Sequence, residues 1–237
     1  SGMRWASSTS TEPLLHDAIS ECEAVLRTEL GGLPPDLVIL FTDVGFDRQI
    51  DSLAEYVADQ FPGATIIGCN GTGVIGGGKE IESTPALSMT AAHLPGVVLA
   101  PFHLTAKAMP SPDDSPDAWE DCVGTPAAAS PQFILLVDPF TFDGEALLAG
   151  LDYAFPAAPK IGGLVSGGSR AGAHSLYLNG VTHQSGAVGV ALSGDIIVDS
   201  VVAQGCRPIG HSMRVTLTEQ NMLLTAESMA NGRGAKQ

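Results

Sequence analysis

Basic side chains are scarce: 11 Lys and Arg stand against 26 Asp and Glu, a formal net charge of −15, and the cations form no cluster. Phosphate backbones and anionic lipid surfaces are held by grouped cations that displace counterions, so nucleic acid is not an expected partner. The acidic residues are scattered rather than blocked together, which suits a solvated, monodisperse surface. Long apolar runs are also missing. None approaches the roughly 18–20 residues that cross a bilayer, so no membrane span is expected. Cysteine is sparse: Cys22, Cys69, Cys122 and Cys206 stand far apart, with no Cys-x-x-Cys pair. That pattern disfavours a disulfide framework or a structural zinc site and suits a reducing, cytoplasmic compartment. Ser1-Gly2 ahead of Met3 has the look of a tag scar, which leaves a removed targeting peptide open.

What is present is enough chain for a sizeable core. With 237 residues, folding can remove roughly 70–75% of the extended chain's surface from water without a covalent staple. Ser10 or Thr11 is placed to cap a helix in which Leu15, Ala18, Ile19, Cys22, Leu26 and Leu30 recur at helical spacing, ended by Gly31-Gly32. Leu37–Phe41 reads as a strand buried on both faces, ending at Thr42-Asp43. A second helix is expected from Asp51 to Phe61, then a strand at Thr65–Gly68. A glycine-rich stretch, Gly68–Gly78, leads to two further strands, Ala86–Leu94 and Val97–Leu104, split by Pro95-Gly96.

The same order returns downstream. Phe133–Asp138 matches the first strand, Gly144–Phe155 the helix, Lys160–Gly163 the second strand and Ser166-Gly167-Gly168 the glycine loop. Two strands follow again, Gly186–Leu192 and Ile196–Ala203, split by Ser193-Gly194-Asp195. The offset drifts only from about 94 to about 99 residues, which points to an internal repeat. Between the copies, Ala106–Pro131 holds five prolines and reads as a surface connector with one short helix, capped by Ser115, opened by Pro116, stopped by Gly124 and anchored by Trp119.

Three motifs invite chemistry. Gly73–Glu80 resembles the start of a phosphate-binding loop, but Glu80 replaces the hydroxyl that holds magnesium, and a strand entry with Pro85 follows where a helix N-terminus is needed. Cys69 heads the first glycine loop and becomes a nucleophile only with a base nearby; His93, His103, His174, His183 and His211 have no spacing that names one, so a buried structural thiol is the plainer reading. Asp43 and Asp138 end equivalent strands, either as a polar pair over a pocket or as caps of their own turns. No His-x-x-x-His or His-x-His set supports a metal, and no cofactor is expected. The glycine loops either make tight crossings between strands or let backbone N–H groups approach a ligand at the C-terminal ends of parallel strands.

Gly68-Cys69-Asn70-Gly71-Thr72-Gly73-Val74-Ile75-Gly76-Gly77-Gly78 with Pro85–Ser88 resembles the FIST N-terminal domain, named for F-box and intracellular signal transduction. Gly162–Gly168, Gly186–Leu192 and Ala203–Pro208 are similar to that family's downstream segment, so the resemblance runs from Leu37 to Gly210. It implies a non-catalytic sensory module of an intracellular signalling protein, binding small ligands such as amino acids or related small carboxylates. It also implies a protein partner reached through a second, C-terminal domain. Arg214-Val215-Thr216 resembles the junction into that domain, so the chain, which stops at Gln237, is either a cut piece or a natural half. Asn70 departs from the small hydroxyl usual after the loop cysteine, and Val74 or Ile75 from the usual acidic residue.

The expected fold is α/β: two tandem copies of a strand, helix, strand, glycine loop and hairpin unit, with helices covering mostly parallel strands, hairpins extending mixed sheets, and a pseudo-twofold between copies. Residues 1–35 form a helix packed on the body, 36–105 the first copy, 106–131 the connector, 132–210 the second copy, and 211–237 the start of the junction. The expected ligand site is Asp43, Cys69, Asn70, Gly71, Thr72, Gly73, Asp138, Ser166, Gly167 and Gly168, acting by recognition with no catalytic residue. The competing expectations are a protein-interaction scaffold of F-box adaptor type, and a nucleotide or cysteine-dependent hydrolase.

Overall fold

The computed structural model describes residues 2–46, 52–82, 84–201, 209–219 and 222–229. The chain divides into two units, Ser1–Ser200 and Val201–Gln237. In chain order the first unit contains β1 (Arg4–Ser10), α1 (Leu15–Glu29), β2 (Leu37–Asp43), α2 (Leu53–Gln60), β3 (Thr65–Gly71), β4 (Gly73–Gly76) and β5 (Lys79–Glu82). It continues with β6 (Leu87–His93), β7 (Val97–Leu104), α3 (Pro116–Val123), β8 (Gln132–Val137) and α4 (Gly144–Ala154). It closes with β9 (Lys160–Leu164), β10 (Leu176–Leu178), β11 (Val181–His183) and β12 (Ala187–Gly194).

Two mixed sheets form the body, with strand orders β1-β6-β2-β3-β10-β11 and β7-β12-β8-β9. Strand alternation sets the layers. Along β2, Val38 and Leu40 point to a cluster with Leu15, Ile19 and Leu26 of α1 and Val57 of α2. Leu37 points the other way, to a cluster between the sheets with Ile67, Leu136, Val188 and Val190. On β8, Phe133, Leu135 and Val137 pack under Trp119 of α3 and Leu147 and Leu151 of α4. The order is therefore helices, sheet, sheet, helices. The continuous apolar runs at Leu37–Leu40 and Phe133–Val137 follow from burial on both faces.

The expected helices form where the periodicity places them. Gly31 and Gly32 end α1 at φ of 69° and 75°, and Gly124 ends α3 at 69°. The cap of α1 differs: Ser10 belongs to β1, paired with Leu87, and Leu14 precedes the helix without a side-chain cap. Asp51 and the Ala203–Pro208 motif lie outside the described residues.

Four strand expectations are corrected. The strands are not mostly parallel: among the described residues only β2/β3 and β8/β9 run parallel, while β6 and β12 return antiparallel beside β2 and β8. The two strands around Pro95-Gly96 are not a hairpin extending one sheet. Gly96, at φ of 79°, turns a corner that sends β6 into the first sheet and β7 into the second. Third, residues 196–201 form no strand, although the Gln132 carboxamide ties them to β8, donating to Ile196 O at 2.9 Å and accepting from the Val198 N–H. Finally, the first glycine stretch is a hairpin, β4–β5, turned by Gly77 and Gly78 at φ of 55° and 73°.

The two parallel pairs share local geometry. Asp43 N–H donates to Ala86 O at 2.8 Å, and Asp138 N–H to Gly186 O at 2.9 Å. Gly68 lies opposite Leu40 and Gly162 opposite Leu135. A Cβ at either would fall within 1.9 Å of the facing carbonyl oxygen. The second unit is an antiparallel hairpin, β13 (Met213–Glu219) with β14 (Met222–Ser228), carrying Arg214-Val215-Thr216 in its first arm.

Candidate functional site

An apolar groove of about 510 Å³ runs along both parallel pairs, from Ile39, Ile134 and Ile161 to the C-terminal ends of β3 and β9. Ile39 and Phe41 of β2 form one wall, and Ile134 and Leu136 of β8 the other, with Ile161 to Ser166 along the floor and rim. Ile39, Phe41 and Ile134 are only partly buried, because the two sheets part company here. Ligand grooves at strand C-terminal ends are a general property of α/β sheets, since loops leave the strands there and the backbone is free to diverge.

Of the expected site residues, Cys69, Asn70, Gly71, Gly73 and Ser166 line this groove. The two glycine segments meet: the Thr72 N–H donates to Ser166 Oγ at 3.4 Å, and a Cβ on Gly167 would fall 2.6 Å from the Asn70 carboxamide carbon. Asn70 is nearly fully buried, and its side chain is committed to structure. Its Oδ1 accepts the Ser175 N–H at 2.9 Å, and its backbone N–H donates to Ser175 O at 3.0 Å. Thr72, Gly167 and Gly168 do not line the groove.

Asp43 and Asp138 do not pair across the groove. Asp43 is buried, and its Oδ1 accepts the Gly45 N–H at 2.7 Å, closing its own turn. Asp138 does the same for Phe140 N–H at 3.0 Å, and adds partners that its spacing in sequence does not suggest. Thr141 Oγ1–H donates to its Oδ2 at 2.6 Å, and His174 Nδ1–H to its Oδ1 at 2.8 Å. The His174 Nε2 lies 3.1 Å from Gly168 O. Both side chains of the Asp138–His174 pair are fully buried. Burial acts to raise the Asp138 pKa, but the hydrogen bonds from Thr141, His174 and Phe140, with the His174 charge, hold it below the ordinary carboxylate value. The pair resembles the orienting half of a catalytic triad, but the second ring nitrogen faces a carbonyl oxygen, not a hydroxyl or thiol.

Burial pushes the Cys69 thiol up to about 12. Thiolate is the reactive form, so at neutral pH Cys69 is a poor nucleophile. Iodoacetamide at pH 7.5 is expected to alkylate native Cys69 more slowly than free cysteine, with rates read by mass spectrometry of the digested protein. Alkylation faster than free cysteine would restore a thiol enzyme. The stretch resembling a phosphate loop is a β-hairpin with no following helix, so its backbone does not form a phosphate cradle. Among the described residues, no three His, Cys, Asp or Glu side chains gather to hold a metal, and no helix is long and apolar enough to cross a membrane.

A family model for the FIST N domain matches residues 36–225. The chain belongs to the FIST N domain family. This FIST N domain is similar to the uncharacterized protein MT0656 of Mycobacterium tuberculosis (strain CDC 1551 / Oshkosh), 36% identical over 215 residues, which cover 90% of this chain and 54% of the relative. The uncharacterized protein Mb0898c of Mycobacterium bovis is 33% identical over 215 residues, covering 90% of this chain and 53% of its own. The chain thus spans about half the length of the curated relatives it matches. FIST domains are signalling-associated modules.

Proposed function

We propose that this FIST N domain is the ligand-receiving part of an intracellular, cytoplasmic sensory module, made of two copies of one unit, that recognises a small molecule without making or breaking bonds. The groove between the parallel pairs carries the reading. Its walls are Ile, Leu, Val and Phe side chains, and its polar features, the Ser166 hydroxyl and the backbone around Gly71 and Gly73, are gathered at one end. An amino acid or related small carboxylate with an aliphatic side chain fits that division: the side chain against Phe41 and Ile134, the polar end at the rim. The duplication is supported by the shared strand order β6-β2-β3 and β12-β8-β9, and by the matching bonds of Asp43 and Asp138. Recognition rather than catalysis is supported by the protonated Cys69 thiol.

A thermal-shift screen of the 20 amino acids and small carboxylates tests the reading. A binder at 100 times its Kd adds about 2.7 kcal/mol. Gly71→Val narrows the rim, where an added Cβ would stand 3.3 Å from Gly73 O and 3.5 Å from Ser166 Oγ. It is expected to weaken binding roughly tenfold or more while moving the melting temperature of the free protein by only a few degrees, since these contacts are tight but not prohibitive. A screen in which nothing stabilises the protein would reject the sensory reading.

A further inference from the structure

We propose that the outer edge of β9 accepts an added antiparallel β-strand, the leading arm of a hairpin supplied by polypeptide that, in the longer relatives, lies outside the matched region. The basis is which backbone groups face out. In a parallel ladder, successive residues turn their N–H and C=O groups alternately to one neighbour and the other. Thr65 N–H donates to Asp36 O, so Ile67 and Cys69 also face β2, while Ile66, Gly68 and Asn70 face away. There they meet β10: Asn179 N–H donates to Ile66 O at 3.0 Å, the Asn179 side chain accepts the Ile66 N–H at 2.8 Å, and Asn70 N–H donates to Ser175 O at 3.0 Å. The arm is Leu176-Tyr177-Leu178, turned by Asn179-Gly180 at φ of 45° and 86°.

On β9 the phase is the same and the partner differs. Val165 N–H donates to Val137 O at 2.9 Å, and Pro159 O accepts the Phe133 N–H, so Ile161 and Gly163 face β8. Gly162 and Leu164 therefore turn both backbone groups outward. Among the described residues no strand pairs with them, and Gly162, Gly163 and Leu164 are exposed, Leu164 at 66%.

Bare edges are normally blunted by a proline, a bulge or a charge, lysine above all. Nothing of the kind occurs from Ile161 to Leu164. The one lysine of the strand, Lys160, is drawn back: its Nζ donates to Asp152 Oδ1 at 2.6 Å and Phe155 O at 2.8 Å, leaving its side chain 7% exposed. Apolar hollows flank the edge on both faces. One is the groove between the sheets, and the other, about 350 Å³, lies against Leu147 and Leu148 of α4. An incoming strand would bury apolar side chains on both faces, the chemistry of Leu176-Tyr177-Leu178 in β10. The curated relatives carry nearly as much polypeptide again as the matched region, enough to supply such a hairpin.

The test uses the ¹⁵N-labelled 237-residue chain and, as probe, a cyclised peptide of its own residues 174–185. At saturating peptide, hydrogen exchange of the Gly162 and Leu164 amides is expected to slow by roughly tenfold or more, while Ile161 and Gly163, already bonded to β8, change little. A peptide with aspartate in place of Leu176 and Leu178 should have no effect. Leu164→Pro removes an outward N–H at an exposed position and should abolish the slowing at Gly162 without loss of fold. Three outcomes would overturn the proposal: no slowing, equal slowing at all four amides, or slowing without peptide that grows with protein concentration. The last would assign the edge to a second copy of the chain.

Discussion

Gly68→Ala is expected to cost about 3 kcal/mol, the upper end of what overpacking costs, and to lower the melting temperature by roughly 6–12 °C. The position is closed on every side. Its own Cβ would lie 1.9 Å from Leu40 O and 2.8 Å from the Leu40 carbonyl carbon, both backbone atoms of the paired strand. On the other flank, Gly68 pairs with Tyr177, which is fully buried. Relief therefore requires β2 and β3 to separate, breaking the ladder that positions Cys69 and Asn70. Urea unfolding followed by circular dichroism measures the loss. An alanine variant as stable as the parent would show that β2 and β3 are not packed in this register.

Asp138→Ala is expected to cost about 3–5 kcal/mol, because each buried donor left without its acceptor costs about 1–3 kcal/mol. The substitution strands three donors at once: Phe140 N–H, Thr141 Oγ1–H and His174 Nδ1–H. Asp138→Asn keeps a carboxamide oxygen for some of these and should lose less. The acid limb of stability gives an independent check. Although burial works to raise it, the folded pKa is lowered from 3.8 by hydrogen bonds and the His174 charge, so the unfolded chain binds this proton more readily. The carboxylate's contribution is thus complete above the unfolded value and declines as pH falls through the folded one. The asparagine variant should show a shallower decline below pH 4, measured by urea titration from pH 7 to pH 2.5. An unchanged acid limb would mean that Asp138 is not the group involved.

Helices and the central strands were the legible part of this sequence, because each carries a periodic or continuous apolar signal. Leu15, Ala18, Ile19, Cys22 and Leu26 are buried as their spacing requires. β1 escaped because its inward face is Ala6, Ser8 and Ser10, small and hydroxyl-bearing residues that give no apolar alternation. The β10–β11 hairpin escaped although Asn179-Gly180 is a strong turn signal, because arms of three residues give periodicity nothing to act on. The partition of β6 and β7 between sheets was not legible at all. Pro95-Gly96 dictates a turn, but whether the strands then pair or diverge depends on β12, about ninety residues later.

At the site, the glycine segments and Cys69 could be picked out in the sequence, since glycines mark close backbone approach. The groove walls did not stand out. Ile39, Phe41, Ile134 and Leu136 belong to the same runs that signal buried strands, and a residue facing a gap between sheets reads identically to one facing a filled core. The partnership of Asp138 with His174 rests on a fold that brings together residues 36 apart, and no local pattern encodes it.

The crossing of strands between sheets also sets when the protein can fold as it is made. β3 leaves the ribosome long before Leu176–Leu178, the strand that covers its outer edge, and β7 waits for Ala187–Gly194. At about 5–20 residues per second, the first sheet is held open for several seconds or more, with the backbone of Ile66, Gly68 and Asn70 unpaired. Pairings so distant in sequence form slowly and reward the chain only when complete. The nascent first half therefore has no finished state of its own to rest in, and this stretch of synthesis is where chaperone protection would matter most.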